Sequence, residues 1–204
     1  ELDRTVGNTA AELSAQGRAE ETLLVLVSDH GLTETRNHFD PGDLLDSLGL
    51  RTLHFPKVFR PDADAAFMVS GNGMGHVYIR AKRGWEERMC FEDIRKLKPD
   101  PVTEFLCRSE IDLVAGRAHD GGVWVVGQNG EARIFERGGR YTYEILSGDP
   151  LGYGPLPPEL DAEQAHALTF ETDYPDGLVQ LAQIFEAPRA GDLILSAKVG
   201  CDLR

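Results

Sequence analysis

The sequence predicts an α/β fold: a mostly parallel sheet flanked by helices, with an inserted antiparallel β-hairpin region. Three observations lead there. The run TLLVLVS, residues 22–28, is apolar on both faces, as a central strand covered by helices on each side would be. Strand-like and helix-like segments alternate along most of the chain. Between residues 111 and 146 the pattern changes to short β-rich runs joined by Asn129-Gly130 and Gly138-Gly139, strong hairpin signals.

Taken in order, Leu2, Val6, Ala10 and Leu13 recur at helical spacing and Gly17 supplies a stop, which predicts a helix over residues 2–16. The apolar strand 22–28 follows and ends at Asp29, His30 and Gly31. PGDLLDSLG, residues 41–49, has Pro at its start and Gly at its end, as short helices do. RTLHF and residues 65–72 and 75–80 read as strands, the last two separated by glycines suited to a tight turn. Residues 84–97 and 101–109 read as helices split by Lys98-Pro99-Asp100-Pro101. VWVVGQ, ARIFER and RYTYEI form the antiparallel meander, read as an insertion or cap beside the main sheet. After a Gly/Pro loop at 148–160 come helices at 161–170 and 176–186 and a strand at 191–198. The whole of 1–204 reads as one partial α/β domain, with 111–146 inserted in it. Glu1 falls inside a helix pattern and Arg204 directly after a strand-like run, so the chain reads as a piece of a longer protein.

Lys and Arg number 21 against 34 Asp and Glu, a net charge of −13, which argues against general affinity for nucleic acid or anionic lipid. There is no apolar run of about 18 residues to span a membrane and no basic-then-apolar signal segment. Three scattered cysteines, Cys90, Cys107 and Cys201, read as reduced thiols.

Chemistry concentrates in LLVLVSDHGL, residues 23–32. In open α/β sheets, ligands bind at the carboxyl ends of strands. Asp29 offers a hard anionic oxygen and His30 an imidazole nitrogen, a mixture favoured by zinc or manganese, and Gly31 permits the turn that lets both reach one ion. On the residues alone a second reading stays open, with Asp29 capping a turn and His30 packed and hydrogen-bonded. His38 is a candidate substrate contact just after the motif. Tyr153, in the stiff loop GDPLGYGPLP, is a second one, able to stack on a substrate or to pack its loop down. His76 reads as a hairpin residue, His54 as a strand residue, His119 as a turn residue and His166 as a helix residue.

VLVSDHGL, preceded by LDRTVGNTAAELSAQGRAEET, resembles the alkaline phosphatase superfamily, specifically its type I phosphodiesterase/nucleotide pyrophosphatase branch. The resemblance runs through Leu2, Asp3, Val6, Gly7, Thr22, Ser28, Asp29, His30 and Gly31, and departs at Leu32, where the branch usually has Met. GDLILSAKVGCDLR, residues 191–204, is similar to the strand that leads into that family's last metal histidine. The resemblance implies a two-metal phosphoesterase with Asp29 and His30 as ligands to one of two divalent ions, zinc foremost and manganese as the alternative. It implies a phosphate-ester small molecule as substrate, a phosphodiester, nucleotide pyrophosphate or phosphomonoester. In the family a Thr or Ser nucleophile and the remaining ligands come from other segments, and none is recognised within these residues. The isolated chain is therefore expected to be catalytically silent and to hold metal weakly. Two alternatives accompany this reading: sulfatase or phosphate mutase chemistry on the same fold, and a non-catalytic binding or scaffold module.

Overall fold

The computed structural model describes residues 1–28 and 31–203, so the expected convergence of Asp29 and His30 at a strand end lies outside the described residues. The chain divides into two compact units, Glu1–Thr33 and Glu34–Arg204.

In the first unit, α1 spans Leu2–Ala15, as its apolar spacing predicts. It ends in a pair of bonds typical of helix C-termini: Arg18 N–H donates to Leu13 C=O at 2.9 Å and Gly17 N–H to Ser14 C=O at 3.1 Å. The expectation of a strand at 22–28 is corrected. These residues belong to no strand, and Leu23 to Val27 are 49–88% exposed. A run apolar on both faces states that it must be covered; it does not specify the neighbour, and the described residues of this unit include no strand to pair with.

The second unit is built on a sheet of eight strands. They are β2 (Thr52–Leu53), β3 (Ala65–Ser70), β4 (Met74–Ile79), β5 (Ile111–Arg117), β6 (Val123–Gly127), β7 (Gly130–Arg137), β8 (Arg140–Gly148) and β9 (Leu193–Ala197), in the spatial order β2-β3-β4-β9-β5-β6-β7-β8. A separate parallel pair joins β1 (Asn37–Phe39) to β10 (Cys201–Leu203). Within the eight strands only β2–β3 is parallel, so the predicted mostly parallel sheet is corrected to a mostly antiparallel one in a mixed α/β unit.

The reason lies in how the sheet is covered. Helices α2 (Pro41–Ser47), α3 (Phe91–Ile94) and α4 (Pro101–Leu106) contribute to one core cluster with Val77, Leu193 and Leu195. Helices α5 (Ala162–Thr169) and α6 (Gly177–Glu186) contribute to another with Val125, Ile134 and Ile194. Along β9, Leu193 and Leu195 enter the first cluster and Ile194 the second, so this strand is apolar on both sides although its neighbours are antiparallel. Coverage on both faces dictates the apolar pattern; strand direction does not. On β5 a register shift between Ile111 and Leu113 lets Ile111 and Val114 share one cluster despite their odd spacing.

The strands of the 111–146 region are continuous with this sheet, because β5 pairs with β9 and β6, β7 and β8 follow as consecutive hairpins. Gly138 and Gly139 form the two-residue β7–β8 turn with φ of 61° and 80°, the twin positive values that its mirror-image geometry needs. The predicted helix over 84–97 shrinks to Phe91–Ile94. Buried Asp192 accepts hydrogen bonds from Ile79 N–H at 2.7 Å and Met89 N–H at 3.0 Å, holding this stretch in a loop against its local propensity. No helix among the described residues is long and apolar enough to cross a membrane.

Candidate functional site

The β1–β10 pair positions the first candidate side chains. Arg36 and Asn37 N–H groups donate to Gly200 C=O, and the parallel register sets His38 opposite Asp202. Leu203 is buried in the first core cluster and its N–H donates to Asn72 C=O, which ties β10 to the β3–β4 turn. On this frame His38 Nδ1 lies 2.6 Å from Asp202 Oδ1, while Thr35 Oγ1 donates to Asp202 Oδ2 at 3.3 Å. The Asp202 side chain is 12% exposed and that of His38 43%. A carboxylate at Nδ1 fixes the ring orientation and favours the tautomer protonated there, an arrangement common behind metal- and substrate-facing imidazoles.

A second polar group surrounds the start of α2. Asp40 caps the helix by accepting from Gly42 and Asp43 N–H groups, with Pro41 in the first helical position. Asp40, Asp43 and Asp46 recur every third residue and so lie on one side of it. Into that side projects His54, which follows β2. Its ring is 1% exposed, with Nδ1 at 3.3 Å from Asp40 Oδ1 and Nε2 at 3.7 and 3.8 Å from Asp43 Oδ1 and Asp46 Oδ2. Neither ring nitrogen makes a hydrogen bond among the described residues. Lys57 Nζ bridges Asp43 and Asp46 at 2.8 and 2.9 Å, and Arg60 reaches Asp46 at 2.6 Å. Burial of Asp46 would raise its pKa, but the Thr52 N–H, Lys57 and Arg60 outweigh that and hold it at about 2.

Tyr153 occupies a third neighbourhood. Its hydroxyl donates to Tyr174 C=O at 2.6 Å, its ring stands edge-on to Tyr143, and burial pushes its pKa up to about 12. Asp149 stiffens the loop by accepting from Gly152 N–H, Gly154 N–H and the Tyr143 hydroxyl. The two predicted substrate contacts, His38 and Tyr153, therefore have different partners. His76 Nδ1 accepts from Gly191 N–H at 3.0 Å, and burial lowers its pKa. His119 Nε2 lies 3.0 Å from Asp93 at a turn.

Comparison with known protein families matches residues 1–120, more than half of the chain, to Type I phosphodiesterase / nucleotide pyrophosphatase. The chain belongs to that family. The matched span includes the Ser28–Gly31 motif, β1 and the acidic face of α2. Comparisons with curated proteins and with solved structures find no match.

For this member of the type I phosphodiesterase family, the sequence singles out the motif residues and His38 as candidates, whereas it does not single out Asp202 or the Asp40–Asp43–His54 grouping. Asp202 could be found only through the β1–β10 register, a long-range pairing. The three-residue spacing of Asp40, Asp43 and Asp46 was a readable signal of a one-sided acidic helix; the arrival of His54 beside it was not.

Proposed function

We propose that the chain forms part of a two-metal phosphoesterase in which Asp29 and His30 bind one of two divalent ions, zinc or, second, manganese. The observation that carries this is the family match across the Ser28–Gly31 motif. The donor chemistry agrees: a carboxylate and an imidazole side by side suit zinc better than magnesium or calcium. Ions bound there supply charge neutralisation and positioning at phosphorus. A further support is that β1 and β10 lie side by side, joining the segment just after the motif to residues 191–204, the second stretch that bears the family resemblance.

Within this reading His38 contacts the substrate phosphate. Asp202, at Nδ1, orients the His38 ring. These residues carry two members of the family's ligand set and no recognised nucleophile, so the isolated chain turns over no ester. The test is hydrolysis of an aryl phosphodiester, an aryl phosphomonoester and an aryl sulfate, in zinc or manganese, by the protein as its gene encodes it. Activity on a phosphate ester that falls about 100-fold or more in Asp29→Ala supports the proposal. Activity on the sulfate alone, no activity at all, or full activity in Asp29→Ala refutes it.

A further inference from the structure

The grouping at the start of α2 takes no part in the proposed phosphoesterase centre, and it has the composition of a cation site. Asp40, Asp43 and His54 each present a ligand atom, and these atoms all lie within 4.8 Å of one another. His54 is the decisive member. Its ring is 1% exposed, both nitrogens lack hydrogen bonds among the described residues, and it faces three carboxylates. A buried imidazole without partners is costly unless another group supplies them. The ring reaches this position because Gly42 has no side chain: a Cβ there would stand 2.2 Å from His54 Cγ.

We propose that Asp40, Asp43 and His54 form a divalent transition-metal site, selective for zinc over magnesium. One ring nitrogen and two carboxylate oxygens make a three-ligand set, with water completing the shell. Imidazole in the set favours zinc over hard cations that prefer all-oxygen shells. Ligand atoms around tetrahedral zinc lie about 3.3 Å apart, from bonds of about 2.0–2.2 Å; the ion takes one ring nitrogen, so Asp43 closes on Nε2 from 3.7 Å while Asp40, 3.3 Å from Nδ1, also shifts, all three ligand atoms already lying within 4.8 Å. Asp46 is not a ligand, since the Thr52 N–H, Lys57 and Arg60 occupy its oxygens. Lys57 marks where positive charge is wanted. Its ammonium bridges Asp43 and Asp46, and its side chain, 40% exposed, can swing into water when the metal arrives. Lys57 is thus a built-in competitor that weakens the site.

The site does not depend on the phosphoesterase reading, and the test separates the two. Zinc affinity is measured by competition with a chromophoric chelator in an Asp29→Ala/His30→Ala background, with His54→Gln, Asp43→Asn and Lys57→Met added singly and magnesium as a control ion. One zinc per chain is expected in the background, weakened at least tenfold by His54→Gln and by Asp43→Asn, tightened several-fold by Lys57→Met, with no response to magnesium. Asp43 is largely exposed, so its variant remains informative if His54→Gln fails to fold. Zinc affinity unchanged by Asp43→Asn, as scattered binding to cysteines would give, overturns the proposal. So does absence of zinc binding at millimolar concentration.

Discussion

His38 and Asp202, 164 positions apart, meet through a 2.6 Å contact between Nδ1 and a carboxylate oxygen. Their elements pair in parallel, and Asp202 is also held by Thr35. A double-mutant cycle of His38→Ala and Asp202→Ala in urea unfolding is expected to give a coupling of about 1 kcal/mol, the scale of a hydrogen bond to a charged group with one partner half-exposed. Additive effects would mean that the contact contributes nothing beyond packing.

Gly42 is expected to reject any side chain. A Cβ would overlap the His54 ring, and displacing that ring strains a packed site by about 1–3 kcal/mol. Gly42→Ala should therefore lower the denaturation midpoint and weaken zinc binding together. A stable variant with unaltered zinc affinity would show that His54 has room to move.

Asp46 sets an acid limit. Its pKa is held down to about 2 in the folded state, against about 3.9 unfolded. A depressed carboxylate stabilises the fold above the unfolded value and loses that contribution as pH falls through the folded value. The loss should run from about pH 4 to pH 2 and amount to about 1 kcal/mol, as for a partly exposed ion pair. In Asp46→Asn that portion of the pH dependence should vanish when stability is followed by urea titration at each pH.

The β7–β8 turn should tolerate only residues that accept positive φ. Valine at Gly138 is expected to cost about 1–2 kcal/mol, the left-handed penalty for a side chain, while Asn at the same position should cost little. Equal losses for the two variants in thermal unfolding would contradict the turn assignment.

What the sequence disclosed depended on the range of the interaction. The α1 spacing, the Pro41 and Pro101 starts and the Gly138-Gly139 turn are local signals, and those elements formed where expected, whereas the turn expected at Asn129-Gly130 falls one residue earlier, with Gly130 opening β7 opposite Gly127. Strand direction was misread because the apolar faces of β9 report helices above and below the sheet, whichever way the neighbours run. Residues 22–28 carry the same apolar pattern yet belong to no strand, since pattern alone does not supply a partner. The motif at Asp29 and His30 was readable as chemistry. Asp202 and His54 were not, because each becomes a candidate only through another segment folded against it.

The claim that Asp29 and His30 bind a divalent ion is tested most directly by histidine ring NMR during zinc titration of the chain carrying Asp43→Asn and His54→Gln, which removes two ligands of the proposed α2 site. The His30 ring nitrogens are expected to shift with added zinc, weakly but saturably, and Asp29→Ala should abolish the shift. His30 resonances that stay fixed throughout the titration, or that move identically without Asp29, would contradict the assignment.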